Sequence, residues 1–225
     1  MYRGAEAPFQ PSAYDVRRTD VDRHTLLSGN ADVWSAAMSV AWGPSPYTTG
    51  FRALWRDDAL VARFDVSDER PWYTRHDRDA CLWEEEVVEI FLDPTCSGAD
   101  YAELEISPVN VVCDLHIARL APERDVRLEW NFETLETVVH AGQRADDWTA
   151  IACLPFDDFA SLSPQVAACL PVEPGDTWHF NVFRIKRPNG PAAPEQGAVY
   201  AAWSVPDDTT FHAPGAFRPL RFTEG

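Results

Sequence analysis

The chain has 225 residues, 45% of them hydrophobic and 12% aromatic, and its 19 Lys and Arg against 36 Asp and Glu leave a formal charge of −17. That is enough apolar material to build a core in one or two domains, and a surface this acidic, with no Lys/Arg cluster, excludes a nucleic-acid partner and disfavours an anionic membrane. No run approaches the ~20 apolar residues that span a bilayer, and Met1–Pro8 lacks the apolar stretch of a signal peptide, so the chain as written is expected in the cytoplasm.

Residues 1–30 are polar and Pro-containing and read as an N-terminal arm, leaving 31–225 as a single domain. From about residue 50 the pattern turns to period 2. Phe51–Trp55 and Leu60–Val66 flank the acidic turn Asp57-Asp58, which predicts a hairpin. Val87–Leu92 is a strand ended by Asp93-Pro94. Tyr101–Ser107 and Val111–Ala118 form another pair, joined at Pro108-Val109-Asn110. Leu135–His140 and Trp148–Leu154 follow, then Thr177–Arg187 and Ala198–Val205, and Ala216–Phe222 closes the chain. Helical periodicity is confined to Phe156–Leu162, after Pro155. Many short alternating strands with one short helix predict an all-β protein, an antiparallel β-sandwich of jelly-roll type. The five cysteines are odd in number and contain no CxxC pair, which argues against a disulfide framework or a zinc site; Cys113 and Cys153 read as buried thiols.

Alternation also sorts chemistry by face. Val88, Ile90 and Leu92 share one face with an all-apolar character, as do Ala102, Leu104 and Ile106, and Phe180 with Val182. The opposite faces carry Glu89 with Phe91, Glu103 with Glu105, and Asn181 with Phe183. If these strands are neighbours they make a polar floor between aromatic walls, an arrangement that suits a sugar, whose ring faces stack on aromatic surfaces while its hydroxyls bond carboxylates and amides. The plainer alternative is that the three glutamates face water.

Six blocks in order, spread over residues 30–222, resemble carbohydrate-binding module family 9 and its single-domain relatives. The central one, Leu82–Pro94 (LWEEEVVEIFLDP), is similar to the family's W-x-x-x-x-V-E-I-F-x-D signature. The others are Ala53–Asp68, Tyr101–Pro108, Trp178–Arg184, Ala202–Ser204 and the stretch from Phe211 to Phe222. The resemblance implies a β-sandwich that binds carbohydrate without catalysis, holding the end of a glycan between two aromatic rings and serving carbohydrate catabolism. It matches the stacking rings to Trp83 and Phe211, and the sugar-bonding polar residues to Glu89, Asn181 and Asp208. Phe211 stands where the family has a second Trp, and Glu105 stands where it has an Arg. Family members are commonly exported and contain structural calcium; here calcium is an expected option rather than a required cofactor. The excess of carboxylates in the slot points to a neutral mono- or oligosaccharide rather than a uronate.

Three further readings follow from residue type. Glu89 with Glu103 or Glu105 is the candidate pair of a glycoside hydrolase, the alternative to simple binding; Glu103 and Glu105, i and i+2 on one strand, stand ~6.5–7 Å apart at the backbone, compatible with the ~5 to ~9.5 Å carboxyl pairs such enzymes use. Asp77, Asp79, Asp93, Asp100, Asp207 and Asp208 are loop carboxylates near strand ends, of the hard oxygen type that suits calcium. Trp72 is a candidate extra platform beside the slot. The six histidines show no ligand spacing.

Overall fold

The structure is a computed structural model that describes residues 10–207 and 210–225. Period-2 alternation becomes strands along its length. In chain order these are β1 (Tyr14–Arg18), β2 (Ser39–Trp42), β3 (Thr49–Arg56), β4 (Ala59–Val66), β5 (Val87–Asp93), β6 (Tyr101–Ile106), β7 (Val112–Arg119), β8 (Asp125–Arg127), β9 (Glu136–Ala141), β10 (Trp148–Pro155), β11 (Thr177–Lys186), β12 (Val199–Ala202) and β13 (Arg218–Thr223). The Asp57-Asp58 turn pairs β3 with β4 from Arg56↔Ala59 to Thr49↔Val66. At the β6–β7 turn Asn110 adopts φ +62, a left-handed conformation that Asn tolerates better than most residues.

The strands hydrogen-bond in the order β8-β7-β6-β5-β11-β13-β1-β3-β4-β10-β9, with β12 on β11 and β2 on β3. This sheet curls on itself. The largest apolar cluster joins Val88, Ile90 and Leu92 of β5, Leu104 of β6 and Phe180 of β11 to Phe51, Leu60, Phe64 and Leu154 of β3, β4 and β10. The all-apolar faces therefore meet face to face in a β-sandwich. A second cluster, with Phe91, Leu115, Phe183 and Ile185, covers the outer face of the β5–β6–β7–β11 layer.

Two details differ from the sequence expectation. β1 falls within the expected arm of residues 1–30 yet lies inside the sheet, parallel to both β13 (Tyr14↔Leu220, Val16↔Phe222) and β3 (Arg17↔Leu54), whereas the other ladders are antiparallel. Tyr14 and Val16 are fully buried, and the Tyr14 hydroxyl accepts from the Ala53 N–H at 2.7 Å and donates to the Met38 carbonyl. Five residues with only two apolar positions are too weak a pattern to read as a strand. The single expected helix becomes three short ones: α1 (Arg23–Leu27), α2 (Phe156–Phe159, within the expected stretch) and α3 (Pro164–Ala167). Side chains cap two of them, Asp22 accepting from Thr25 N and Ser163 from Val166 N. All five cysteines are free, with Cys113 and Cys153 buried.

A buried charge cluster ties the two layers together. Asp68, just after β4, and Glu86, just before β5, meet Arg184 and Lys186 of β11, with all four side chains at 0–1% exposure. The Lys186 ammonium lies 2.6 Å from Asp68 and 2.8 Å from Glu86 and donates to the Glu69 carbonyl at 2.9 Å, which uses all three of its hydrogens. Asp68 also accepts from Arg184 at 2.6 Å and from the Trp148 indole at 3.1 Å.

Candidate functional site

The mixed faces of β5, β6, β7 and β11 do lie side by side. Register places Glu89 opposite Glu105, Phe91 opposite Glu103, and Phe183 opposite Glu89. Over this floor lies a cavity of about 460 Å³, within the usual range for a small-molecule site. Trp83, from the 3-10 turn Leu82–Glu84, and Phe211, from the loop before β13, form its aromatic sides. Phe211 is backed by Phe183, with ring centroids 4.3 Å apart and planes at 23°. Arg124, Tyr200, Thr210 and His212 line the rest of the wall.

The floor is unusual in its electrostatics. Glu89, Glu103 and Glu105 are 2%, 4% and 1% exposed, so the reading in which they face water fails. One oxygen from each lies within 4.8 Å of the others. Among the described residues, Glu89 Oε1, Glu103 Oε2 and both oxygens of Glu105 have no hydrogen-bond partner. The remaining buried acids of this layer are satisfied: Asp93 accepts from Thr95 N, Thr95 Oγ1 and Gly98 N, Asp114 from Arg78 and Phe132 N, and Glu86 from Lys186. Burial, and then the neighbouring carboxylates, hold Glu89 and Glu105 well above the ordinary carboxylate range. Burial pushes Glu103 up to about 7, offset in part by the adjoining Glu105 carboxyl and by the Arg124 guanidinium.

Among the described residues no basic side chain is hydrogen-bonded to this floor. His212, stacked on Phe91 at 5.2 Å, is held neutral, its imidazole pushed down to about 3 by burial and by Arg124. Its Nε2 accepts from Arg124, which leaves Nδ1–H to donate to the Tyr101 oxygen at 2.8 Å. Arg124 is itself exposed at the rim.

Of the residues picked out in the sequence, the cavity gathers Trp83, Glu89, Glu105 and Phe211, together with Glu103. Asp208 lies outside the described residues. Asn181 is not in the cavity: its amide donates to Ser204 O at 2.7 Å and its oxygen accepts from Ser204 N and Val182 N. It ties the segment after β12 to β11, and the polar residue that period 2 put on the site face serves the backbone. Trp72 is spent in the same way, its indole donating to Arg187 O at 2.7 Å. Arg187 in turn donates to the carbonyls of Trp83 and Glu85, fixing the turn that carries the stacking ring. Among the described residues no three of the loop carboxylates converge; Asp93 is used by its own loop, and Asp100 is paired with His116 and Ser163. Arg124, Tyr200, Thr210 and His212 carry no signal in the sequence, since they sit in loops or at a strand end, where no periodicity marks a face.

Residues 28–118 match the family model described as carbohydrate family 9 binding domain-like. A protein of Arthroderma benhamiae named "Extracellular protein" is 25% identical over 190 residues, covering 80% of each chain. Among solved structures, a candidate carbohydrate-binding protein of Bacteroides uniformis superposes with a TM-score of 0.70 at 15% identity, over 94% of this chain and 99% of its own. A family 9 carbohydrate-binding module of Caldicellulosiruptor kristjanssonii in complex with cellotriose gives 0.63 at 15% identity, over 95% and 94%. The same organism's family 9 module with glucose gives 0.59 at 13% identity, over 100% and 96%. At these identities the structural likenesses speak to the fold.

Proposed function

We propose that this chain, which carries a carbohydrate-binding module family 9-like domain, binds a neutral mono- or oligosaccharide non-catalytically in the cavity between Trp83 and Phe211. The observation that carries the reading is the juxtaposition of aromatic walls with a floor of buried carboxylates whose oxygens lack donors. A sugar supplies both missing halves: apolar ring faces for the aromatic sides and hydroxyl donors for Glu89, Glu103 and Glu105. Uronates are disfavoured because a further negative charge would be brought against three clustered carboxyls.

Calorimetric titration with glucose and cellotriose tests this. Binding is expected, and Trp83→Ala is expected to weaken it about thirtyfold, a loss of about 2 kcal/mol for an aromatic anchor at the centre of a contact. Retention of full affinity in Trp83→Ala, or no response to any glycan, refutes the reading.

Carboxylate oxygens lying within 4.8 Å of one another favour a second reading as a retaining glycosidase, whose carboxyls stand ~5 Å apart. Against it, all three groups project from one floor formed by β5 and β6, whereas an acid and a nucleophile must approach a glycosidic bond from two directions. No turnover of chromogenic glycosides is therefore expected; turnover abolished by Glu89→Gln would restore the enzyme reading.

A further inference from the structure

We infer that the carboxylate floor of the cavity is a binding site for a divalent hard cation of the calcium type, held by Glu89, Glu103 and Glu105, and that the sugar docks against this ion. The second half rests on the proposed sugar binding; the first does not. Three carboxylates that merely cluster would prove little, but these are nine-tenths buried or more and four of their oxygens lie buried at the cavity floor without a donor among the described residues. Elsewhere in the layer buried acids meet an Arg, a Lys or backbone N–H groups. Here the available basic groups do not reach: Arg124 donates to His212, and His212 Nε2 stands 3.8 Å from Glu103 Oε2.

The donor set selects the ion. It is all carboxylate oxygen, with neither imidazole nor thiolate among the three converging atoms, which suits calcium rather than a softer metal. Two oxygens on one calcium, at bond lengths of 2.3–2.6 Å, stand at most about 5 Å apart, and all three ligand atoms lie within 4.8 Å of one another. Calcium takes six to eight oxygens, so three carboxylates leave positions open toward the cavity. A vicinal diol presents two oxygens there while its ring rests on Trp83. The charge balance also improves: three carboxylates with one divalent ion leave one negative charge, where the bare floor has three unless it takes up protons.

The test uses the full chain stripped with chelator, with Ca²⁺ and its luminescent substitute Tb³⁺ as probes. Trp83 lines the cavity, so a bound Tb³⁺ is expected to emit on indole excitation and to be displaced by Ca²⁺. Ca²⁺ is expected to bind once per chain and raise the unfolding midpoint, with at least tenfold weaker binding in Glu105→Gln and in Glu89→Gln and none lost in Asp77→Asn, an exposed acid outside the cavity. Glucose and cellotriose affinity is expected to fall at least tenfold on chelation. Absence of Ca²⁺ binding with sugar affinity unaffected by chelator overturns the cation site and leaves the sugar reading standing. Ca²⁺ binding unaltered in both glutamine variants overturns it as well, by placing the ion elsewhere. Ca²⁺ binding lost in the glutamine variants, with no sugar response in the unmodified chain, upholds the cation site and refutes the sugar reading.

Discussion

Lys186→Met is expected to destabilise the fold by about 3–5 kcal/mol, the range for stranding buried charge by removing one partner. The side chain is completely buried, its three hydrogens are all used, and no water reaches the carboxylates it serves. Arg184 remains close to Asp68 at 2.6 Å but is 3.4 Å from Glu86, so Glu86 loses most of its compensation. The cluster joins residues flanking β4 and β5 to β11, so its failure separates the two layers where Glu86 leads into the signature strand. Urea denaturation measures the effect. The double variant Lys186→Met with Glu86→Leu is expected to recover part of the loss, because an apolar pair of similar volume leaves a more balanced remainder. Losses that simply add in the double variant would show that the two groups do not act as a pair.

This cluster was invisible in the sequence for the same reason that Arg124 and His212 were. Its members lie at positions 68, 86, 184 and 186, and only the closure of β11 against β5, with β4 across the core, brings them together. By contrast, the floor was legible. Glu89, Glu103 and Glu105 sit on strands with strict alternation, and once β5 and β6 pair in the register Glu89↔Glu105, period 2 leaves them one face to occupy. What alternation does not tell is how a polar side chain on that face spends its hydrogen bonds. Asn181 shares the face and its amide oxygen accepts from the backbone N–H groups of residues 182 and 204, whereas the glutamates find no backbone donor. β1 shows the other limit: its place is fixed by parallel partners 37 and 206 residues away in sequence, through Arg17↔Leu54 and Tyr14↔Leu220.

Glu105→Gln is expected to stabilise the metal-free, sugar-free chain at pH 8 by about 1–3 kcal/mol, the scale of an unsatisfied buried polar group, while leaving it nearly unchanged at pH 4.5. Glu89, Glu103 and Glu105 have folded pKa values above those of the unfolded chain, so the folded state binds more protons between the two values. Their contribution to stability is complete below the unfolded value near 4.5 and is lost as pH rises through the folded values, about 7 for Glu103 and well above the ordinary carboxylate range for the other two. The slope reaches about 1.4 kcal/mol per pH unit for each titrating group. Asp22, Asp58 and Asp147 run the other way, since their pKa values are lowered and their contribution disappears only at more acid pH. Stability of the stripped chain should therefore peak at mildly acid pH and decline toward pH 8, and the glutamine should flatten that decline by one group. Saturating Ca²⁺ should reverse the ranking, because the unmodified floor then holds an ion that the variant has lost a ligand for. A glutamine variant no more stable than the unmodified chain at pH 8 without metal would mean that the floor carries no uncompensated charge. The acidity of this chain would then be solvation throughout, whereas a reversal of ranking with Ca²⁺ assigns three of its carboxylates to the binding of a ligand.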